Sequence, residues 1–87
     1  MSEKLTEREQ QVVRLVSLGC NIEEIGRILK IAGNTVDNHK ARAMAKLGCD
    51  KAALVTRIAL KMRITSMKDR LTPAEKRRRG RRSDGWN

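Results

Sequence analysis

Ile22 to Leu47 reads IEEIGRILKIAGNTVDNHKARAMAKL, and the break between its two apolar rhythms decides the fold. Ile22, Ile25, Ile28 and Leu29 recur at helical spacing, and so do Val36, Ala43 and Leu47. Ile31, Ala32 and Gly33 interrupt the two series as a tight turn. A short helix, a turn and a second helix with polar side chains facing outward make a helix-turn-helix.

Working outward, Thr6 and Glu9 have the spacing of a capping box, so a first helix is expected to begin near Glu7. Val12, Leu15 and Val16 form its buried stripe, and Gly19 supplies the left-handed residue that ends it. Asn21 and Glu24 repeat the box before the second helix. Gly26 lies inside that helix, where Gly costs about 1 kcal/mol against Ala, so a neighbouring backbone is expected to pass close to it. Asp50 is the expected N-cap of a fourth helix beginning KAALVTRIALKMRI. Leu60, Ile64, Met67 and Leu71 continue at helical spacing, which extends that helix to about Arg70. Leu54, Ile58 and Met62 share one of its faces, while Val55, Ala59 and Leu60 widen the apolar surface. Either the end of this helix folds back over its own core or it meets a second copy, through Leu54, Arg57, Ile58, Lys61 and Met62.

Composition narrows the class. The chain has 87 residues, enough for one small domain, and contains neither Phe nor Tyr, with Trp86 its sole aromatic residue. Its core must come from aliphatic side chains, as helix packs on helix. The net charge is +10, from 20 basic and 10 acidic residues. Residues 68–87 carry eight basic and three acidic side chains, so half of that net charge lies on less than a quarter of the chain. Such a field favours a polyanion, nucleic acid first and an anionic membrane second. No apolar run reaches the roughly 20 residues of a membrane span and no signal-peptide core precedes Glu9, so a cytoplasmic protein is expected. Cys20 and Cys49 belong to no CxxC pair, which points to two small, partly buried side chains and not to zinc.

Thr72-Pro73-Ala74-Glu75 starts another helix, with Pro at the first helical position. The following KRRRGRRSDGWN is too polar to pack unaided and is expected to stay mobile or to form one basic turn before Gly80. The division is therefore a helical domain over 1–71 and a basic tail over 72–87. In that tail Lys76, Arg77, Arg78, Arg79, Arg81 and Arg82 form an arm able to track phosphates or enter a narrow minor groove; a merely solubilising tail has the same composition. Trp86 either stacks on a partner or is a passenger.

From Leu5 onward, LTEREQQVVRLVSLGCNIEEIGRILKIAGNTVDNHKARAMAKLG resembles, without a gap, the DNA-binding domain of the LuxR, NarL and FixJ class of bacterial transcription regulators. The shared landmarks are Leu5-Thr6, Arg8-Glu9, Gly19, Ile25, Leu29, Thr35-Val36, His39 and Lys46-Leu47-Gly48. The resemblance covers about residues 5 to 60. It implies an all-α, four-helix domain without a cofactor, whose third helix, about 33–47, enters the major groove of double-stranded DNA. Four positions depart from the pattern. Ala32 stands where a capping Ser or Thr is usual, leaving Asn34 to substitute, and Lys40 replaces an aliphatic side chain. Asp37 and Ala41 stand where basic side chains are frequent.

The helical rotation of 100° per residue turns Asn34, Asn38, Ala41, Arg42 and Ala45 outward, with Asp37 at the flank. In a major groove Asn38 can bond adenine, Arg42 guanine or a phosphate, and Asp37 a cytosine amino group. Asn34 completes the base-reading set. A solvated face would also be polar, so the residues alone leave both readings open. Phosphate contacts are expected from Arg27, Lys30, Thr35, Lys40 and Lys46; His39, placed where the family commonly has His, is structural or phosphate-contacting. One His, no Tyr, no carboxylate pair and no metal-ligand spacing give catalysis no foothold, so neither an enzyme nor a small-molecule substrate is expected.

The expectation is a stand-alone regulator of transcription, dimeric and nucleoid-associated, although a fragment of a longer protein reads the same way. Two rivals share the fold: a protein-interaction module that presents Asp37 and Ala41 to RNA polymerase or another regulator, and a nonspecific nucleic-acid binder resting on the tail.

Overall fold

The computed structural model describes residues 4–80 and contains five helices: α1 (Glu7–Ser17), α2 (Ile22–Leu29), α3 (Gly33–Leu47), α4 (Ala52–Lys61) and α5 (Pro73–Arg79). No strand occurs among the described residues, and none of their helices is long and apolar enough to cross a membrane.

The first two helix starts follow from local chemistry. Thr6 Oγ1 accepts from the Glu9 N–H at 3.1 Å while the Thr6 N–H donates to Glu9 Oε1 at 2.9 Å. Asn21 and Glu24 repeat the exchange, each bond 2.9 Å long. These pairs satisfy donors that a helix start otherwise leaves open. Gly19, at φ +90, carries the chain out of α1 as its sequence position predicts.

α1 is the central element, with one apolar group on each side. Val12 and Leu15 join Leu18, Cys20, Ile25, Ile28, Val36 and Leu71. Val13 joins Leu5, Ala43, Val55 and Ala59. Half-buried Val16 touches both groups, so α1 binds α2 and α3 on one side to α3 and α4 on the other. Cys20 is buried and Cys49 half-buried; burial, aided by the nearby Asp50 charge, pushes the Cys49 thiol above its ordinary pKa. A protonated thiol is a poor nucleophile and metal ligand.

Gly26 is where α2 meets the turn. A Cβ there would lie 2.8 Å from the Ile31 carbonyl oxygen, so only Gly lets the chain fold back this tightly. α3 starts at Gly33 with Ala32 as its N-cap and without a side-chain cap, so Asn34 does not substitute.

The C-terminal third departs from its sequence reading. Asp50 is not the cap of α4: Lys51 holds that position and supplies no side-chain bond. α4 stops at Lys61, with Arg63 turned into the left-handed region at φ 62, and does not reach Arg70. The apolar spacing that suggested a longer helix serves a reversing chain. Met67 is 82% exposed, whereas Leu71 returns to the core beside Val12 and Ile28.

Arg14 holds this returning segment. Its guanidinium forks onto Asp69, with Nε 2.9 Å from Oδ2 and Nη2 3.2 Å from Oδ1, and its Nη1 donates to Glu75 Oε2 at 2.8 Å. Thr65 Oγ1 donates to the same Asp69 Oδ2 at 2.8 Å. Burial acts to raise the Asp69 and Glu75 pKa values. The bonds and charge of Arg14, together with bonds from Thr65 to Asp69 and from Thr72 to Glu75, outweigh it and hold both carboxyls below their ordinary range.

The fifth helix completes the fold. Thr72 and Glu75 form a third capping box around Pro73, and α5 packs on α2. The helix start expected at Thr72 is present, and residues 76–79 of the run expected to stay mobile or to form a single turn continue it as a docked seven-residue helix that stops before Gly80. Residues 81–87 lie outside the described residues.

Candidate nucleic-acid interface

The buried side of α3 is narrow. Val36 and Ala43 are fully buried, while Met44 and Leu47 are half-buried against the α4 side of the core. A helix gripped along this stripe has a fixed rotation, so its opposite face is equally fixed. That face carries Asn34, Asp37, Asn38, Ala41, Arg42 and Ala45, every one exposed. The four base-reading candidates Asn34, Asp37, Asn38 and Arg42 therefore share one solvent-facing side. Among the described residues no ion pair engages Asp37.

The phosphate candidates divide. Lys30 is exposed at the left-handed end of α2, at φ 60, and Thr35 and Lys40 are half-buried at the edges of α3. The start of α3 has no side-chain cap, so the partial positive charge of a helix N-terminus is left there without a side-chain acceptor. His39 is half-buried, and its Nδ1 has no hydrogen-bond partner among the described residues.

Lys46 and Arg27 are differently occupied from their sequence reading. Lys46 Nζ donates to Glu9 Oε1 at 2.7 Å and to the Lys4 carbonyl at 3.3 Å. The Lys46 bond, then the Thr6 N–H, lower the pKa of buried Glu9 despite its desolvation. Lys46 thus ties the end of α3 to the start of α1. Arg27 is exposed, yet its Nε donates to the Arg79 carbonyl at 2.8 Å, and its guanidinium lies over Gly80.

The basic run is also divided. Arg77 and Arg78 are exposed and Lys76 is half-buried, but Arg79 is only 2% exposed, with its Nε 4.0 Å from buried Glu24 Oε2. Arg79 is a packing residue, not part of an arm. Arg81, Arg82 and Trp86 lie outside the described residues. Sequence reasoning missed this division, as it missed Arg14, because each depends on partners more than 50 residues away. A signal was present in Glu24, an acid within an otherwise apolar helix face.

On α4 and its C-cap Met62, Leu54 is 39% and Met62 51% exposed, Arg57 and Lys61 are exposed, and Ile58 is half-buried. Val55 and Ala59 supply the core face instead. Among the described residues, no group of three His, Cys, Asp or Glu side chains is placed to hold a metal.

The family of bacterial regulatory proteins, luxR family, matches residues 3–59. The transcriptional activator protein BjaR1 of Bradyrhizobium diazoefficiens is similar, being 36% identical over 63 residues, which make up 72% of this chain and 26% of that protein. The chain thus spans about a quarter of that relative's length. No solved structure matches. With the family match running from before α1 into α4, and the helix-turn-helix of α2 and α3 at its centre, this chain belongs to the LuxR family of bacterial regulatory proteins.

Proposed function

We propose that the protein binds double-stranded DNA in a sequence-dependent way, with α3 in the major groove, and so regulates transcription. The observation that carries this reading is the exposed row Asn34, Asp37, Asn38, Ala41, Arg42 and Ala45 on a helix whose other side is fixed by Val36 and Ala43. An α-helix fits the major groove, and amide and guanidinium side chains match the donor and acceptor pattern of its base edges. Lys30, Thr35, Lys40 and the N-terminus of α3 meet the flanking phosphates, with His39 beside them. The family match and the activator named among its relatives support transcription regulation.

Asp37 shapes the selectivity. A carboxylate facing a polyanion repels it except where a cytosine amino group offers a donor, so the protein should demand that base at one position. Selection from random duplexes with the full chain is the test: an enriched motif is expected, and its absence would overturn sequence-dependent reading in favour of a protein partner or a nonspecific role.

The protein acts as a two-fold dimer through α4. Leu54 and Met62 are the apolar side chains that face leaves uncovered, with Arg57 and Lys61 at its rim and Ile58 beneath. A strictly monomeric chain in sedimentation, at high concentration and with DNA present, would remove this part of the reading.

A further inference from the structure

The family match ends at residue 59, and α5 lies beyond it. Within α5 the basic run has two distinct fates. Arg79 points inward to Glu24 and its carbonyl accepts from Arg27, whereas Arg77 and Arg78 are exposed. Glu75 faces Arg14 on α1, so a rotation of 100° per residue sets Lys76 on a different flank of α5 from Glu75. Gly80, at φ +88, lies against the Arg27 guanidinium, so the basic end of α5 closes on the exposed edge of α2. That same edge carries Lys30 and leads into the turn before α3. Arg27 and Lys30 on α2 and Lys76, Arg77 and Arg78 on α5 thus belong to two helices held together by a buried anchor.

We infer that α5 is a docked second phosphate-binding element, in which Lys76, Arg77 and Arg78 extend the α2 edge along the duplex backbone while Arg79 only positions the helix. The partner is the phosphate backbone of DNA, because the patch adjoins the turn that leads into the exposed face of α3. A fixed helix presents its charges without the ordering entropy that a mobile arm loses on binding. The inference rests on duplex DNA as the partner, but not on base reading by α3.

The test measures affinity of the full chain for a random-sequence duplex of about 30 base pairs across a salt series, where the slope counts neutralised phosphates at about 0.9 each. Arg77→Gln/Arg78→Gln should lower the slope by about 1.8, with an unchanged thermal transition because both side chains are exposed. Arg79→Ala should lower it similarly and remove amide protection from α5. Lys51→Gln/Lys68→Gln, which removes equal charge from exposed positions outside this patch, should leave the slope unaltered. An unchanged slope in the first variant, or an equal fall in the control, overturns the inference. So does loss of binding to phosphatidylserine vesicles with duplex binding intact. Failure of random-duplex selection would remove base reading by α3 and leave these slopes as they are.

Discussion

A single methyl group is enough to test the corner between α2 and α3. Gly26→Ala places a Cβ 2.8 Å from the Ile31 carbonyl, a backbone atom that cannot step aside. Overpacking of about 1 to 3 kcal/mol opposes a propensity gain of about 1, so a lower urea midpoint is expected. Gly33→Ala meets only Ile22 Cγ2 at 3.5 Å and should be neutral or stabilising. Ala32 is the opposite case, a position whose backbone is ready for a cap it lacks, at φ −67 and ψ 151. Ala32→Ser should raise stability by about 1 kcal/mol, read as a higher midpoint at constant slope. In function, Asn38→Ala should flatten base preference at one position and leave affinity for random DNA nearly unchanged. Equal losses on selected and random duplexes would withdraw Asn38 from the reading set. Gly26, Ala32 and the outward position of Asn38 were all legible in the sequence, because spacing and steric rules operate within a few residues. The engagement of Lys46 by Glu9 was not, since it joins positions 37 residues apart.

At the scale of elements, the same contrast separates starts from ends. The capping boxes at Thr6, Asn21 and Thr72 place three helix starts from the sequence, whereas apolar spacing overstates the length of α4 because Leu60, Ile64 and Leu71 keep helical spacing through a chain reversal. Arg63 in the left-handed region marks the reversal, and no residue type announced it. The latch that follows has a definite pH signature. Asp69 and Glu75 have folded pKa values below their ordinary ones, so their contribution is complete above the unfolded values of about 4 and is lost as pH falls through the folded values. Amide exchange, corrected for its intrinsic pH dependence, should show α5 protected at pH 6 and opening below about pH 4. Arg14→Met should lower stability by about 1.5 to 3 kcal/mol and open α5 already at pH 6. Protection of α5 that ignores both acid and this substitution would show that apolar packing alone holds the helix.

The described residues measure 41 × 28 × 20 Å as a whole, and their aliphatic core is closed by a residue from outside the family match. Leu71 is 4% exposed, packed with Val12, Leu15, Ile25 and Ile28. Leu71→Ala should cost about 2 to 5 kcal/mol, a large share of the roughly 5 to 15 available to a small domain. Urea unfolding is the measurement, and a loss under about 1 kcal/mol would mean that the core closes without Leu71. Inherited likeness and folding therefore have different borders in this protein. A fragment trimmed at residue 59 would keep every helix-turn-helix landmark yet open Ile25 and Ile28 to water, and would report on a wounded scaffold when assayed for DNA binding.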